Sequence, residues 1–536
     1  MKNTLLTIAI LLSGANLIAQ LSIQDTLLEF SVYAALPASG DRPVCLSQLP
    51  NGNLCYSDLG GNIYEIINGA RQVLFTDTDH HLPYVSHMEA KGDKMYLCGS
   101  VIQAGDSVML GFVMRGDLNT GVWDTLAISE PYYIGLSFND HRFSSLLISQ
   151  DEEHVYVHCG SRTNSGEIQE LPGIAGTLGL RWEAIRGKLF KLPTDQSETI
   201  YIPNDSTLLA ASPYVHVEGL RHLFAMAWGT DSLLYGGSNS DRRDAPEGFY
   251  RLDAGEHYGY PWWIGGSLNP LQFASYDPNT DLLLPSGANN QGYYDTDPNF
   301  PAMPTGINYI QPYHNIGPDA DLYRDPQTGV IKDASDEDTT LTSFSGHRSP
   351  VGLIFDQAER LAYHLKGAGF MVSYSNNSRL LNDDGHDLVQ IDMLDGDTIS
   401  VHQLISGFRA PIDVMIKDSL LYVLDMGNSN RSQRAIYQIN IKDSTQINTT
   451  NIEDDFAVGS KLSFIPNPSR GLVKIVLSES TAMIERVQLY DLTGKAYAIS
   501  LDYNQILDLS SFPAQVYLVE VLLSDGTRLI EKLKKE

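Results

Sequence analysis

Positive charge is in short supply: Lys and Arg number 36 against 65 Asp and Glu, leaving a net −29 at neutral pH. A surface of that sign repels phosphate backbones and anionic lipids, which argues against nucleic acid or membrane partners. Cysteine is almost absent, with four in 536 residues (Cys45, Cys55, Cys98, Cys159). Their spacing fits no zinc motif and no C-x-x-C-H haem site. Buried single thiols are the expected state, with Cys45 and Cys55 the nearest pair for a disulfide if the chain is exported. Long apolar runs are missing as well, so no later segment reads as a membrane span. The one apolar run, Leu5 to Leu12, follows Met1-Lys2-Asn3 and precedes Ser13-Gly14-Ala15. A charged head, a short apolar stretch and small residues read as a secretory signal over residues 1–20, so the mature chain is expected to be soluble and exported.

What is present is turn chemistry and short strands. The 45 glycines and 25 prolines suit a fold rich in turns, and 43% hydrophobic residues suffice for ordinary cores. The length implies two or three domains. A unit recurs along the first four-fifths: an apolar strand, a turn, then a second strand ending in an aromatic or basic residue. Its copies begin NLCYSDLGGNIYEII at Asn53, KMYLCGSV at Lys94, HVYVHCGSR at His154, LLYGGSNSD at Leu233, GAGFMVSYSNN at Gly367 and LLYVLDMGNSN at Leu420. Each reads as a β-hairpin, several preceded by a further strand such as PVGLIFD or PIDVMIK. Three or four strands repeated six times predict an all-β chain with a six-bladed β-propeller over residues 21–446. The interval 267–343 would be an insertion emerging at one face. A polar linker at 447–457 leads to a small C-terminal β-sandwich at 458–536, with turns at Asn467-Pro468, Thr493-Gly494 and Asp525-Gly526.

The C-terminal unit carries FIPNPSRG at 464–471, YDLTG at 490–494, LDLSSFP at 507–513 and a basic finish from Lys532 to Lys535. In that order these resemble the type A sorting domain of the type IX secretion system of Bacteroidetes. The resemblance implies passage across the outer membrane by that machinery, to a secreted or cell-surface destination.

Four islands of the propeller resemble the glucose/sorbosone dehydrogenase family, soluble quinoproteins that use pyrroloquinoline quinone (PQQ) and calcium. They are Asn139-Asp140-His141 with the strands after it, Gly219-Leu220-Arg221-His222, the loop 237–247 with Tyr258-Gly259-Tyr260-Pro261, and the blade starts HRSPVGLIFD at His347 and RAPIDV at Arg409. The resemblance implies oxidation of an aldose or related sugar, with electrons passed to an external acceptor. It makes His141 the general base, with Asp140 beside it as orienter and Arg221 the guanidinium that steadies the reduced cofactor. Arg221, His222, Arg348 and Arg409 would bind the cofactor. Carbonyls at Gly237 and Ser238 would hold its calcium, and those at Glu247 and Tyr258 a second one.

The residue types suit that chemistry. A neutral imidazole can take the hydroxyl proton as hydride leaves carbon, a fixed guanidinium stabilises developing negative charge, and calcium wants six to eight hard oxygens. The acidic runs 319–325 and 77–81 read instead as turns and solvated loop. The chain also departs from the family pattern. His222 stands where an asparagine is usual, Ser238 replaces a proline or similar residue, no glutamine is found over 84–89, and Lys366 does not align as the cofactor lysine. These departures motivate the other reading, a non-catalytic secreted propeller that binds glycans or proteins through its loop face.

Overall fold

The computed structural model describes residues 21–535, less 26, 41, 104–106, 137–138, 285–291, 338, 375–379, 384, 428–433, 443–460, 470, 479–482, 492–495, 498, 500–504, 511 and 525–527. The secretory signal, the 447–457 linker and the turns at Thr493-Gly494 and Asp525-Gly526 therefore lie outside the described residues. The chain divides into two compact units, one to Asn440 and one from Ile441.

The first unit is a six-bladed β-propeller. Its innermost strands are Pro43–Gln48, His87–Lys91, Phe143–Ile148, Leu223–Trp228, Pro350–Phe355 and Pro411–Lys417, one for each of the six sheets. Each packs against the next, and the sixth returns to the first, so the ring closes. Antiparallel pairing builds the blades outward, with parallel additions only at the outer edges of the second and fifth; in blade three, Phe143–Ile148 pairs with His154–Cys159, then Lys188–Pro193, then Val215–Glu218. The last blade takes its outermost strand from the other end of the chain: Leu28–Ala35 lies beside Ala435–Ile441. Blade four has only three strands, because after Gly248–Arg251 the chain turns away through Tyr258-Gly259-Tyr260-Pro261.

Apolar residues from adjoining sheets meet between the blades. Cys98 and Tyr96 of blade two pack with Phe143 and Val157 of blade three, and Tyr235 of blade four packs with Leu353 and Met371 of blade five. All four cysteines are buried and unbridged, Cys45 and Cys55 included. No helix of the described residues is long and apolar enough to cross a membrane.

Five of the six innermost strands carry the same irregularity. Register slips between Pro43 and Cys45, Phe143 and Ser145, Leu223 and Ala225, Pro350 and Gly352, and Pro411 and Asp413. A bulge there bends each strand at its entry and re-aims the residues that precede it. Those residues are Arg42, His141-Arg142, Arg221-His222, Arg348-Ser349 and Arg409-Ala410.

Two excursions break the blade pattern. One, expected from the sequence, holds short strands Ser267–Leu268, Leu322–Arg324 and Ile331–Asp333 and an apolar cluster of Trp262, Leu271, Tyr293, Tyr294 and Phe300. The other, residues 160–187, lies between the second and third strands of blade three and had no separate signal in the sequence. The two are tied together: Ser165 Oγ donates to Tyr293 O at 2.7 Å, Asn269 Nδ2 to Ser165 O at 2.7 Å, and Arg181 meets Asp297 at 2.6 Å.

The second unit is a β-sandwich. Lys461–Ile465, Leu472–Ser478 and Ile506–Asp508 form one sheet, and Ala496–Tyr497, Ile484–Asp491, Val516–Leu523 and Arg528–Lys534 the other. Between them lie Phe464, Ile475, Leu489, Leu507 and Tyr517. In the PNPS turn, Asn467 Nδ2 donates to Lys532 O and its Oδ1 accepts from Lys534 N, both at 2.8 Å.

Inner strands approach one another backbone to backbone. A Cβ at Gly352 would come within 2.7 Å of the Asp413 Cα on the next innermost strand. Gly352→Ala should therefore destabilise the propeller by about 1–3 kcal/mol through overpacking, read as a lower urea midpoint at unchanged slope.

Candidate functional site

The bulged strand entries of blades three and four bring together most of the residues singled out from the sequence. His141 is pinned through its backbone: its N–H donates to Ser161 O at 2.8 Å and its carbonyl accepts from Arg186 Nη1 at 2.7 Å. Its ring lies flat against that of His222, with centroids 3.7 Å apart and planes 5° from parallel. His141 Nε2 is buried and has no hydrogen-bond partner. Burial holds both imidazoles well below the ordinary histidine range; for His141 the neighbouring His222 and then Arg221 add to this, and for His222 the additions come from His158 and Arg221. Both rings are therefore neutral near pH 7.

Arg221 is buried, and among the described residues its guanidinium is met only by neutral acceptors. Nε donates to Asn164 O at 2.7 Å, Nη1 to Asn239 O at 3.3 Å, and Nη2 to Asn164 Oδ1 at 3.1 Å and Asn139 Oδ1 at 3.5 Å. Among the described residues no carboxylate lies within 4.0 Å of it. Nearby, Asp241 Oδ2, Asn239 Oδ1 and Asn164 Nδ2 are buried without partners. Burial pushes Asp241 up to about 6, with Arg221 the largest opposing influence. A buried cation and a buried anion that do not pair with each other leave a site suited to an outside ligand carrying both charges or many hydroxyls.

Asp140 does not orient His141. Its carboxylate accepts from Arg186 Nη2 at 2.8 Å and Arg142 Nε at 3.2 Å, because two guanidiniums outcompete a neutral ring. Arg348 is not free to grip a cofactor either. It is fully buried, with Nη1 on both oxygens of Asp383 (2.6 and 2.7 Å) and Nη2 on both of Asp387 (2.6 and 2.5 Å). Arg409 is exposed at the same end of the ring, its backbone N–H held by Asp425 at 2.8 Å.

Gly237 and Ser238 end the strand Leu234–Ser238 and are buried between Ala225 and Phe249, and between Leu223 and Gly248. Glu247 exchanges backbone hydrogen bonds with Phe344, just after the insertion, so its carbonyl already accepts one (3.1 Å). Its carboxyl is buried and pushed up to about 7 by desolvation, with His347 the main opposing influence. Tyr258 locks the corner, its hydroxyl donating to Arg251 O at 2.6 Å and accepting from Asp253 N at 2.9 Å. Asp244 is fully engaged by His347 at 2.7 Å and Arg324 at 2.6 Å.

Sequence reasoning missed Asn164, Arg186 and His158. The polar run Thr163-Asn164-Ser165-Gly166, directly after a central strand, was the available signal for the first; the others sit in apolar surroundings with none. A larger cavity of about 670 Å³ lies elsewhere, between blades two and three. Its lining charges pair with one another, Lys94 with Asp117 and Arg115 with Asp124, so it is not the better site.

Removing the Arg348 side chain would strand two buried carboxylates. Arg348→Ala should cost about 3–5 kcal/mol in urea denaturation, and Arg348→Lys should recover little, since one ammonium cannot fork to both partners.

No protein-family model matches the chain, and no curated protein matches it. Among solved structures, it is similar to the soluble aldose sugar dehydrogenase of Escherichia coli in the apo-form, at 14% identity over 77% of this chain and 100% of that one, with a TM-score of 0.50. The PQQ-bound aldose sugar dehydrogenase of Streptomyces coelicolor matches at 13% identity over 77% and 98%, with a TM-score of 0.44. The holo pyranose dehydrogenase PQQ domain of Coprinopsis cinerea matches at 14% over 79% and 97%, with a TM-score of 0.45. The likeness is one of fold: this chain folds as the β-propeller of the soluble aldose sugar dehydrogenase.

Proposed function

We propose that the propeller is a quinoprotein-type dehydrogenase that oxidises an aldose or related sugar, using PQQ and calcium. One observation carries the reading: Arg221 is buried beside the neutral His141–His222 pair, Asp241 is buried within its influence, and among the described residues neither has a counter-ion. The donors present fit the cofactor at this end of the site. Arg221 and Asn164 Nδ2 would hold its carboxylates or developing negative charge, and Asp241 with the carbonyls of Gly237 and Ser238 would hold calcium. Glu247 and Tyr258 would contribute to a second calcium, as in the resembling family. Arg348 takes no part, being committed to Asp383 and Asp387.

Bound there, the quinone supplies the hydride acceptor and calcium the cation that its oxygens need. The chain's own work is proton transfer and charge stabilisation. His141 Nε2, neutral and unpartnered, accepts the proton of the sugar hydroxyl. Arg221 stabilises negative charge without reorganising, because Asn164 and Asn239 hold its guanidinium in place. The secretory-signal pattern of residues 1–20 and the resemblance of the C-terminal unit to a sorting domain support reading it as a secreted or surface enzyme, exported through type IX machinery, with an external electron acceptor.

A second reading, a non-catalytic propeller that binds glycans or proteins, is favoured by the Arg348 pairing, which removes one expected cofactor grip. Quinone titration separates the two: no binding at micromolar levels with calcium present would favour it.

The purified chain, loaded with calcium and PQQ and offered a sugar panel with an artificial acceptor, should reduce that acceptor in a sugar-dependent way. His141→Ala should lower kcat by at least about 100-fold; a rate equal to wild type would remove the proposed base. The pH profile gives a further check. Because His141 is held below the ordinary histidine range, kcat/KM should stay level as pH falls from 8 through the usual imidazole value of about 6.5, and drop only at lower pH. A profile that halves near 6.5 would mean an unshifted base.

A further inference from the structure

We infer that His222 is the positioning residue for His141: the flat contact of the two rings, rather than a carboxylate, fixes the plane in which His141 presents Nε2. This rests on the reading that His141 is the base. Elimination comes first. Asp140, the neighbour expected to orient the ring, has both oxygens on Arg186 and Arg142. The backbone of His141 is pinned at both ends, by Ser161 and Arg186, so only its side-chain torsions remain free. Across the ring face lies His222, at 3.7 Å and 5°.

His222 is itself well anchored. Its carbonyl accepts from Asn239 N at 2.9 Å, its Nδ1 lies 3.1 Å from Asn239 Nδ2, and Phe224 meets it edge-on at 5.7 Å and 67°. A fixed aromatic plate of this kind restricts the second ring to one plane, which an asparagine at the same position would not do.

The other groups facing the pair do not orient the ring. His222, Arg221, His158 and Arg186 all oppose a positive charge on His141, as Arg221 and His158 do on His222, and Asp140 is held by its two arginines. The contribution of His222 is therefore to the aim of the base.

The test uses the full chain with 13C-labelled histidine, before any cofactor is added. The His141 Cε1–H resonance, assigned by its loss in His141→Ala, should carry the ring-current shift of a stacked neighbour. His222→Leu and His222→Asn should move it to an unstacked position, and His222→Phe should keep it. In the loaded enzyme, His222→Leu should lower kcat by about 100-fold, the order expected of a misaimed reacting group, with KM nearly unchanged, and His222→Phe should retain most of the rate. An unmoved His141 resonance in both His222→Leu and His222→Asn would overturn the proposal, as would a Phe variant as impaired as the Leu variant. If the resonance moves as expected but His141→Ala oxidises sugar normally, the stacking stands and the base assignment fails.

Discussion

Ring closure by six innermost strands is the constraint on which everything else depends. Their backbones come so close that a single methyl at Gly352 would collide with the neighbouring strand. Strands packed that tightly around an axis must all run the same way and start at the same level. The residues just before them therefore gather at one end, however far apart they lie in sequence. The bulge repeated at five of the six entries adds a bend at that level. In this way His141 from blade three and Arg221-His222 from blade four become neighbours.

The electrostatics of that end differ from those of the surface. The chain as a whole is strongly acidic, yet arginines precede five of the six innermost strands. Their fates diverge with burial. Arg348 has two carboxylates and serves structure; Arg142 shares Asp140 with Arg186, which also holds the carbonyl of His141. Among the described residues Arg221 has no counter-ion, and Asp241 nearby has none either. Burying two opposite charges apart is costly unless something else binds between them. That cost, together with a neutral pair of rings, distinguishes this corner from the well-paired cavity between blades two and three.

Much of the architecture was legible because it rests on local pattern. Alternating apolar strands split by Gly, Asn, Asp and Ser marked the hairpins, and their number marked the blades. The islands around His141, Arg221 and Gly237 also proved to be spatial neighbours, because each lies at a strand entry or the end of the adjacent strand. Partner choice was not legible. Asp140 adjoins His141 in sequence, but its carboxylate turns to Arg186, 46 positions on. Arg348 reads as a cofactor grip until Asp383 and Asp387 are seen around it. His222 reads as a substitution for asparagine, and only the folded chain reveals it as a ring stacked on His141.

By itself, then, the sequence determined the strands, the six-fold count, the separate C-terminal sandwich and the residue types available at each blade start. These follow from side-chain period and turn chemistry, which act over a few residues. Tertiary structure alone decided which charges are paired, which ring faces which, and which polar atoms are left buried without partners. Those depend on distances of 3–4 Å between segments far apart along the chain, fixed only when the ring closes.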